Sequence, residues 1–175
     1  MVHLRQHPRP PFRHDEKDQR LKQDAETEVL DLFERRKAGI ECPLCAEGEP
    51  NDLVIRLKSG NVHLQGSGDY PGYCILVCRR HVVELHDLSK EERRDWIEDV
   101  AAIGRAISAV CSPAKLNVFM LGNMVPHLHC HVMPRYPDDA EWGKAPSFAP
   151  KKDAKLLMQE EFLRLISELR NSLRS

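Results

Sequence analysis

Three histidines alternate with apolar or small residues in His127-Leu128-His129-Cys130-His131-Val132-Met133, and no other stretch constrains the chain as strongly. Successive side chains of a β-strand point to opposite faces. Read as a strand, the stretch puts three imidazoles on one face and Leu128, Cys130 and Val132 on the other. The second face has the composition of a core. The first sets side by side three groups whose ordinary pKa is near ~6.5, for which a purely structural strand has no use.

At 175 residues the chain fits one domain with room for a terminal extension, and it can bury a core without staples. Charged residues make up 30% and the formal net charge is -1, so neither nucleic acid nor an anionic membrane is an expected partner. No apolar run approaches the length of a membrane span, and the polar N-terminus lacks a signal-peptide core. The six cysteines comprise one Cys42-Pro43-Leu44-Cys45 pair and others scattered through apolar stretches. That distribution suits a metal or redox pair plus buried thiols in a reducing compartment, not a disulfide framework. The expectation is a soluble, cytoplasmic protein.

Residues 1–14 are rich in Pro and Arg and read as loosely draped. Residues 15–37 carry Leu21, Ala25, Val29, Leu32 and Phe33 at helical spacing, with Gly39 as a C-cap. This amphipathic helix is expected to dock, most simply on its own domain. Leu53 to Leu57 and Val62 to Leu64, with Ser59-Gly60-Asn61 between them, read as a hairpin. Tyr73 to Cys78 reads as a buried central strand. Ser89-Lys90-Glu91-Glu92 is a capping box opening a helix of about two dozen residues, with Trp96, Ile97, Val100, Ile103, Ala106, Ile107 and Val110 on one stripe and Ser112-Pro113 at its end. Leu116 to Leu121 is the next strand. Residues 137–150 read as a loop, and Asp153 as the cap of a last helix with Met158, Phe162, Leu165, Ile166, Leu169 and Leu173 on one face. The pattern predicts an α+β fold: an antiparallel sheet of the five-stranded type, one long helix, and terminal helices packed on it. It divides the chain into an extension (1–39), a central domain (40–140), and a loop with a C-terminal helix (141–175).

The string from His127 to Met133, followed by Pro134-Arg135, resembles the H-x-H-x-H-x-x signature of the histidine-triad (HIT) superfamily. So do its approach from Asn117 to Pro126 and the run Pro71-Gly72-Tyr73-Cys74-Ile75-Leu76-Val77 leading to Arg79-Arg80-His81. The resemblance spans about residues 40 to 140. It implies a nucleotide hydrolase or nucleotidyl transferase, commonly a homodimer. It also implies roles: a catalytic set of His129, His131 and His127, with His129 as nucleophile on the α-phosphorus, His131 on a phosphate or leaving-group oxygen and His127 for orientation, and with Asn123 on the phosphate and Gln65 on the ribose.

An imidazole nitrogen is a good nucleophile near neutral pH, so the chemistry fits the residues as well. A rival reading is catalytic zinc on His129 and His131, since H-x-H on a strand can chelate metal. C-x-x-C is half of a structural zinc site, and this sequence offers no second one. Relatives complete such a site with two histidines, which by resemblance are His81 and His127. The implied site is Cys42, Cys45, His81 and His127, leaving His129 and His131 free; the alternative is that both cysteines are plain thiols. His63 and His86 read as surface or locally bonded residues, and Trp142 as either a lid or a packed aromatic. Three activities fit this set: hydrolysis of a dinucleoside polyphosphate or nucleoside phosphoramidate, transfer to phosphate or another acceptor, and nucleotide binding with little catalysis.

Overall fold

The computed structural model describes residues 16–45, 51–146 and 154–175. Its sheet is built from β1 (Leu53–Arg56), β2 (Gly60–Leu64), β3 (Cys74–Cys78), β4 (Lys115–Phe119) and β5 (His129–Arg135). All neighbours are antiparallel, in the order β1-β2-β3-β5-β4. Three α-helices accompany it: α1 (Glu16–Lys37), α2 (Lys90–Cys111) and α3 (Gln159–Arg174). This is the α+β architecture expected from the alternation.

β5 lies inside the sheet and every one of its residues is buried. It starts two residues later than the alternation suggests. Pro126 has no N–H to give a ladder, and the His127 N–H turns back to Val125 O at 2.8 Å. Pairing resumes at Leu128, whose N–H bonds Val82 O and whose carbonyl accepts from Cys78 N. Cys130 and Val132 then face Leu76, Val62, Leu64 and Cys74 in a core closed by Trp96, Ile103 and Ile107 of α2 and Leu165, Ile166 and Leu169 of α3. At about 2 kcal/mol per fully buried large side chain, this face is the main source of stability.

The capping box forms: Ser89 Oγ accepts from Glu92 N at 3.2 Å, and Glu92 Oε2 accepts from Ser89 N at 2.7 Å. Ser112, in the left-handed region at φ 48°, ends α2 before Pro113. Ile97 does not share the buried stripe; it is exposed, one position round from Trp96. The hairpin turn centres on Lys58-Ser59 rather than on Gly60, which belongs to β2. Gly60 is there for space, because a Cβ would meet Val77 O at 2.0 Å. Ser59 N and Oγ both donate to Asp99 on α2, fixing the turn to the helix.

α3 begins later than the spacing suggests. Residues 155–157 run extended beside the loop after β2, with Gly68 N donating to Lys155 O and Leu157 N to Gly66 O. Met158 is the N-cap and exposed, so it is not on the buried face. Asp153 and the stretch 1–14 lie outside the described residues. The Arg170 guanidinium donates to Leu53 O and Val54 O, tying α3 to β1.

α1 departs furthest from expectation. Residues 19–31 are exposed throughout, including Leu21, Val29 and Leu30. Its apolar residues are too few among charges to bury a continuous face. Among the described residues its C-terminal end is the part that is anchored: Arg36 Nη1 donates to Met124 O, and Gly39 (φ 81°) closes the helix with Ile40 N bonding Arg35 O. No helix among the described residues is long and apolar enough to cross a membrane.

Candidate active site and metal centre

The sheet register decides what shares a face with the histidines. His129 and His131 sit opposite Val77 and Ile75 on β3, and Phe119 on β4 sits opposite His131. The two imidazoles meet edge to face with centroids 4.9 Å apart. His129 Nδ1 lies 2.6 Å from His127 O. A carbonyl only accepts, so Nδ1 carries the proton and Nε2 keeps its lone pair. His131 Nδ1 lies 2.5 Å from the Tyr73 hydroxyl. A phenol O–H is a stronger donor than a neutral imidazole N–H, so Tyr73 donates and the His131 proton sits on Nε2. The row thus presents one nitrogen base and one N–H donor side by side.

Tyr73 is the residue that the sequence reading missed. Its signal was present: it lies two residues before Ile75 and so falls on the face that carries His131. Gln65 follows β2 and its N–H bonds Tyr73 O, while Asn123 is exposed in the loop before His127. The described hydrogen bonds join neither side chain to the histidine row. His63 bonds Asp52 at 3.1 Å, and His86 is a surface residue.

Four residues from three segments converge at the start of the row. The Cys42–Cys45 turn, His81 after β3 and His127 before β5 place one ligand atom each within 4.8 Å of all the others. His127 Nδ1 is 3.5 Å from Cys42 Sγ and 3.3 Å from Cys45 Sγ, and His81 Nδ1 is 3.3 Å from Cys45 Sγ. Zinc bonds of about 2.3 Å to sulfur and about 2.0 Å to nitrogen make tetrahedral edges of about 3.5 Å, so the spacing fits that ion. Both rings are also in the right tautomer. His127 Nε2 donates to Cys78 O at 2.9 Å and His81 Nε2 to Lys37 O at 3.0 Å, leaving each Nδ1 free to bind. Desolvation and the neighbouring Cys42 thiol push Cys45 up to about 11. A cation between them would reverse that and hold both as thiolates. The cluster can hold a metal, and it includes His127 but neither His129 nor His131.

Burial, with His129 beside it, holds His131 down at about 4, and burial lowers His127 as well. Both rings are neutral in the folded protein at pH 7. Between about pH 6.5 and 4 the unfolded chain binds more protons than the native one at His131, so stability falls as pH falls through that window. Scanning calorimetry at pH 7 and pH 5 should show a Tm lower by a few degrees at pH 5. An unchanged or higher Tm at pH 5 would contradict the neutral assignment.

Over 72 residues the chain is 35% identical to a bis(5'-adenosyl)-triphosphatase of Saccharomyces cerevisiae, a match covering 38% of this chain and 35% of that protein. Over 70 residues it is 31% identical to an asymmetrical bis(5'-nucleosyl)-tetraphosphatase of Schizosaccharomyces pombe, covering 37% and 38%. The chain thus spans little more than a third of the length of these curated relatives. A crystal structure of a histidine triad protein from Bradyrhizobium japonicum superposes with a TM-score of 0.64 at 29% identity, covering 69% of this chain and 89% of that one. The HIT domain model matches residues 47–138, just over half of the chain, and the protein therefore belongs to the HIT family.

Proposed function

We propose that the protein hydrolyses a dinucleoside polyphosphate, or a nucleoside phosphoramidate, at the α-phosphorus through a nucleotidyl-His129 intermediate. The observation that carries this reading is the His129 Nδ1–His127 O bond, which leaves Nε2 as a free nucleophile beside the His131 donor. The names of the two yeast relatives support the substrate class.

In the first step the Nε2 lone pair forms the P–N bond and the bond from the α-phosphorus to the bridging oxygen breaks. That oxygen leaves on the departing polyphosphate as an anion, its charge met by the His131 Nε2–H. From a phosphoramidate the bond from phosphorus to the substrate nitrogen breaks instead, and that nitrogen takes a proton from solvent by way of His131 and leaves as the amine. The His129 ring becomes cationic, and its Nδ1–H on the His127 carbonyl is strengthened by that charge. Water then adds to phosphorus, the P–N bond breaks and returns its electron pair to Nε2, and a water proton passes to solvent. The product is a nucleoside monophosphate. Asn123 donates its amide to a phosphate oxygen and Gln65 bonds the ribose, once substrate draws them in.

Cys42, Cys45, His81 and His127 would hold zinc, which would supply structural cross-linking there and no part of the reaction. The free cysteines suit a reducing compartment, and we place the protein in the cytoplasm. A second copy is the partner that the apolar groove of Val100, Ala101, Gly104, Leu116 and Val118 between α2 and β4 would accept, and equilibrium sedimentation reads it.

A mass-spectrometric product screen of dinucleoside polyphosphates and adenosine phosphoramidate tests the activity. Nucleoside monophosphate is expected; a nucleoside diphosphate built on added phosphate would make the protein a transferase, and no product from any substrate would leave a binding module. Tyr73→Phe has its own expected effect. Without the phenol the proton of His131 is shared between its nitrogens, so kcat should fall roughly tenfold with KM nearly constant. A KM change alone would mean that Tyr73 only shapes the pocket.

A further inference from the structure

Resting on that reading, we infer that a cleft beside β4 is the subsite for the leaving nucleotide. The cleft has a volume of about 410 Å³ and is lined by Lys115, Asn117, Phe119, Arg135, Trp142 and Lys144, with Gly143 and Ala145 completing its rim. Four of these residues come from the face that carries the reacting histidines. Phe119 is the register partner of His131, Asn117 of Met133 and Lys115 of Arg135, so the cleft runs along β4 from Phe119, the cross-strand neighbour of His131. From Phe119 to Lys115 it extends about 14 Å at ~3.4 Å per residue, enough for phosphates followed by a base.

Its lining matches that ligand. Among the described residues, three cationic side chains line it and no carboxylate does. Arg135 is neutralised by its ion pair with Asp139 at 2.5 Å, so Lys115 and Lys144 carry the unbalanced charge toward a polyanion. Trp142, 47% exposed, offers an aromatic surface on which a base can stack.

The loop that carries Trp142 is also held in place. The buried Arg135 guanidinium donates to Glu141 O and Lys144 O on either side of Trp142-Gly143, and to Asn117 Oδ1 on β4. Asp139 accepts from Glu141 N, and Asp139 O from Trp142 N. One arginine therefore clamps the tryptophan loop to the strand that neighbours His131. A merely solvated loop has no need of such a clamp. On the reading above, His131 meets the leaving oxygen, and the near end of the cleft is Phe119, its neighbour on β4.

The test compares two substrates that differ in what would fill the cleft. Bis(5'-adenosyl) triphosphate releases a nucleoside diphosphate, whereas adenosine phosphoramidate releases only ammonia. For Lys115→Ala/Lys144→Ala and for Trp142→Ala, kcat/KM on the triphosphate should fall roughly tenfold or more beyond any fall on the phosphoramidate, mainly through KM. Equal effects on both substrates, or none on either, would overturn the inference. Binding is read separately in the His129→Ala protein with ATP as probe. Trp96 is fully buried, so a fluorescence change reports on Trp142, the second of the two tryptophans. Quenching that weakens in the double lysine variant is expected, and no quenching overturns the subsite even if the enzyme proves inactive. Absence of turnover with wild-type protein and both substrates, alongside such quenching, would instead count against the proposed hydrolysis.

Discussion

His129→Ala is expected to lower turnover by about a thousandfold or more while the sheet stays folded. The variant removes the base whose lone pair is left on Nε2 beside the His131 ring, since His127 O holds Nδ1–H. The neighbouring rings cannot replace it. His131 has its Nδ1 occupied by Tyr73 and presents a proton, not a lone pair, on Nε2. His127 is turned toward Cys42 and Cys45, with Nε2 on Cys78 O. Substrate affinity should survive within a few fold, because the nucleophile contributes chiefly to the transition state. Steady-state kinetics, equilibrium nucleotide binding and a thermal melt check the three parts. A variant with near-normal kcat would remove the nucleophile assignment.

Loss of the metal cluster is expected to have the other large effect, on stability. Cys42→Ser should abolish binding of about one zinc per chain and cost about 3 kcal/mol or more, a Tm fall of roughly 6–12 °C. The cluster joins the Cys42–Cys45 turn to the segments after β3 and before β5, and through His81 it touches the C-terminal end of α1 at Lys37 O. Its removal should free that end first, seen as faster amide exchange around residues 37–45 than in β3 or β5. Metal analysis and calorimetry with and without chelator measure the effect. If chelator abolishes turnover at once in protein that remains folded, the metal belongs to the chemistry, and the separation of cluster from reacting histidines is wrong. If no metal binds under metal-replete expression, Cys42 and Cys45 are plain thiols.

The two-faced strand was legible in the sequence because alternation is a local property: His129 and His131 against Cys130 and Val132 needs no knowledge of the fold. The capping box at Ser89 and the glycine closing α1 were legible for the same reason. The tautomers were not. They depend on carbonyls of His127, Cys78 and Lys37 that only the folded chain brings to the rings. The meeting of Cys42 and Cys45 with His81 and His127 came from family resemblance, since nothing in the spacing of residues 42, 45, 81 and 127 selects it. The start of α3 was misplaced because residues 155–157 give their backbone to the loop after β2, a tertiary bond that overrides helical spacing. The helical period of α1 was read correctly, but period says nothing about whether a partner face exists, and Leu21, Val29 and Leu30 are exposed.

A covalent intermediate on His129 leaves its mark in the stereochemistry at phosphorus. A substrate made chiral at the α-phosphorus with sulfur and hydrolysed in oxygen-18 water reports the number of displacements. Attack by His129 followed by attack by water inverts phosphorus twice, so net retention of configuration is expected. Net inversion, the outcome of a single direct attack by water, would contradict it.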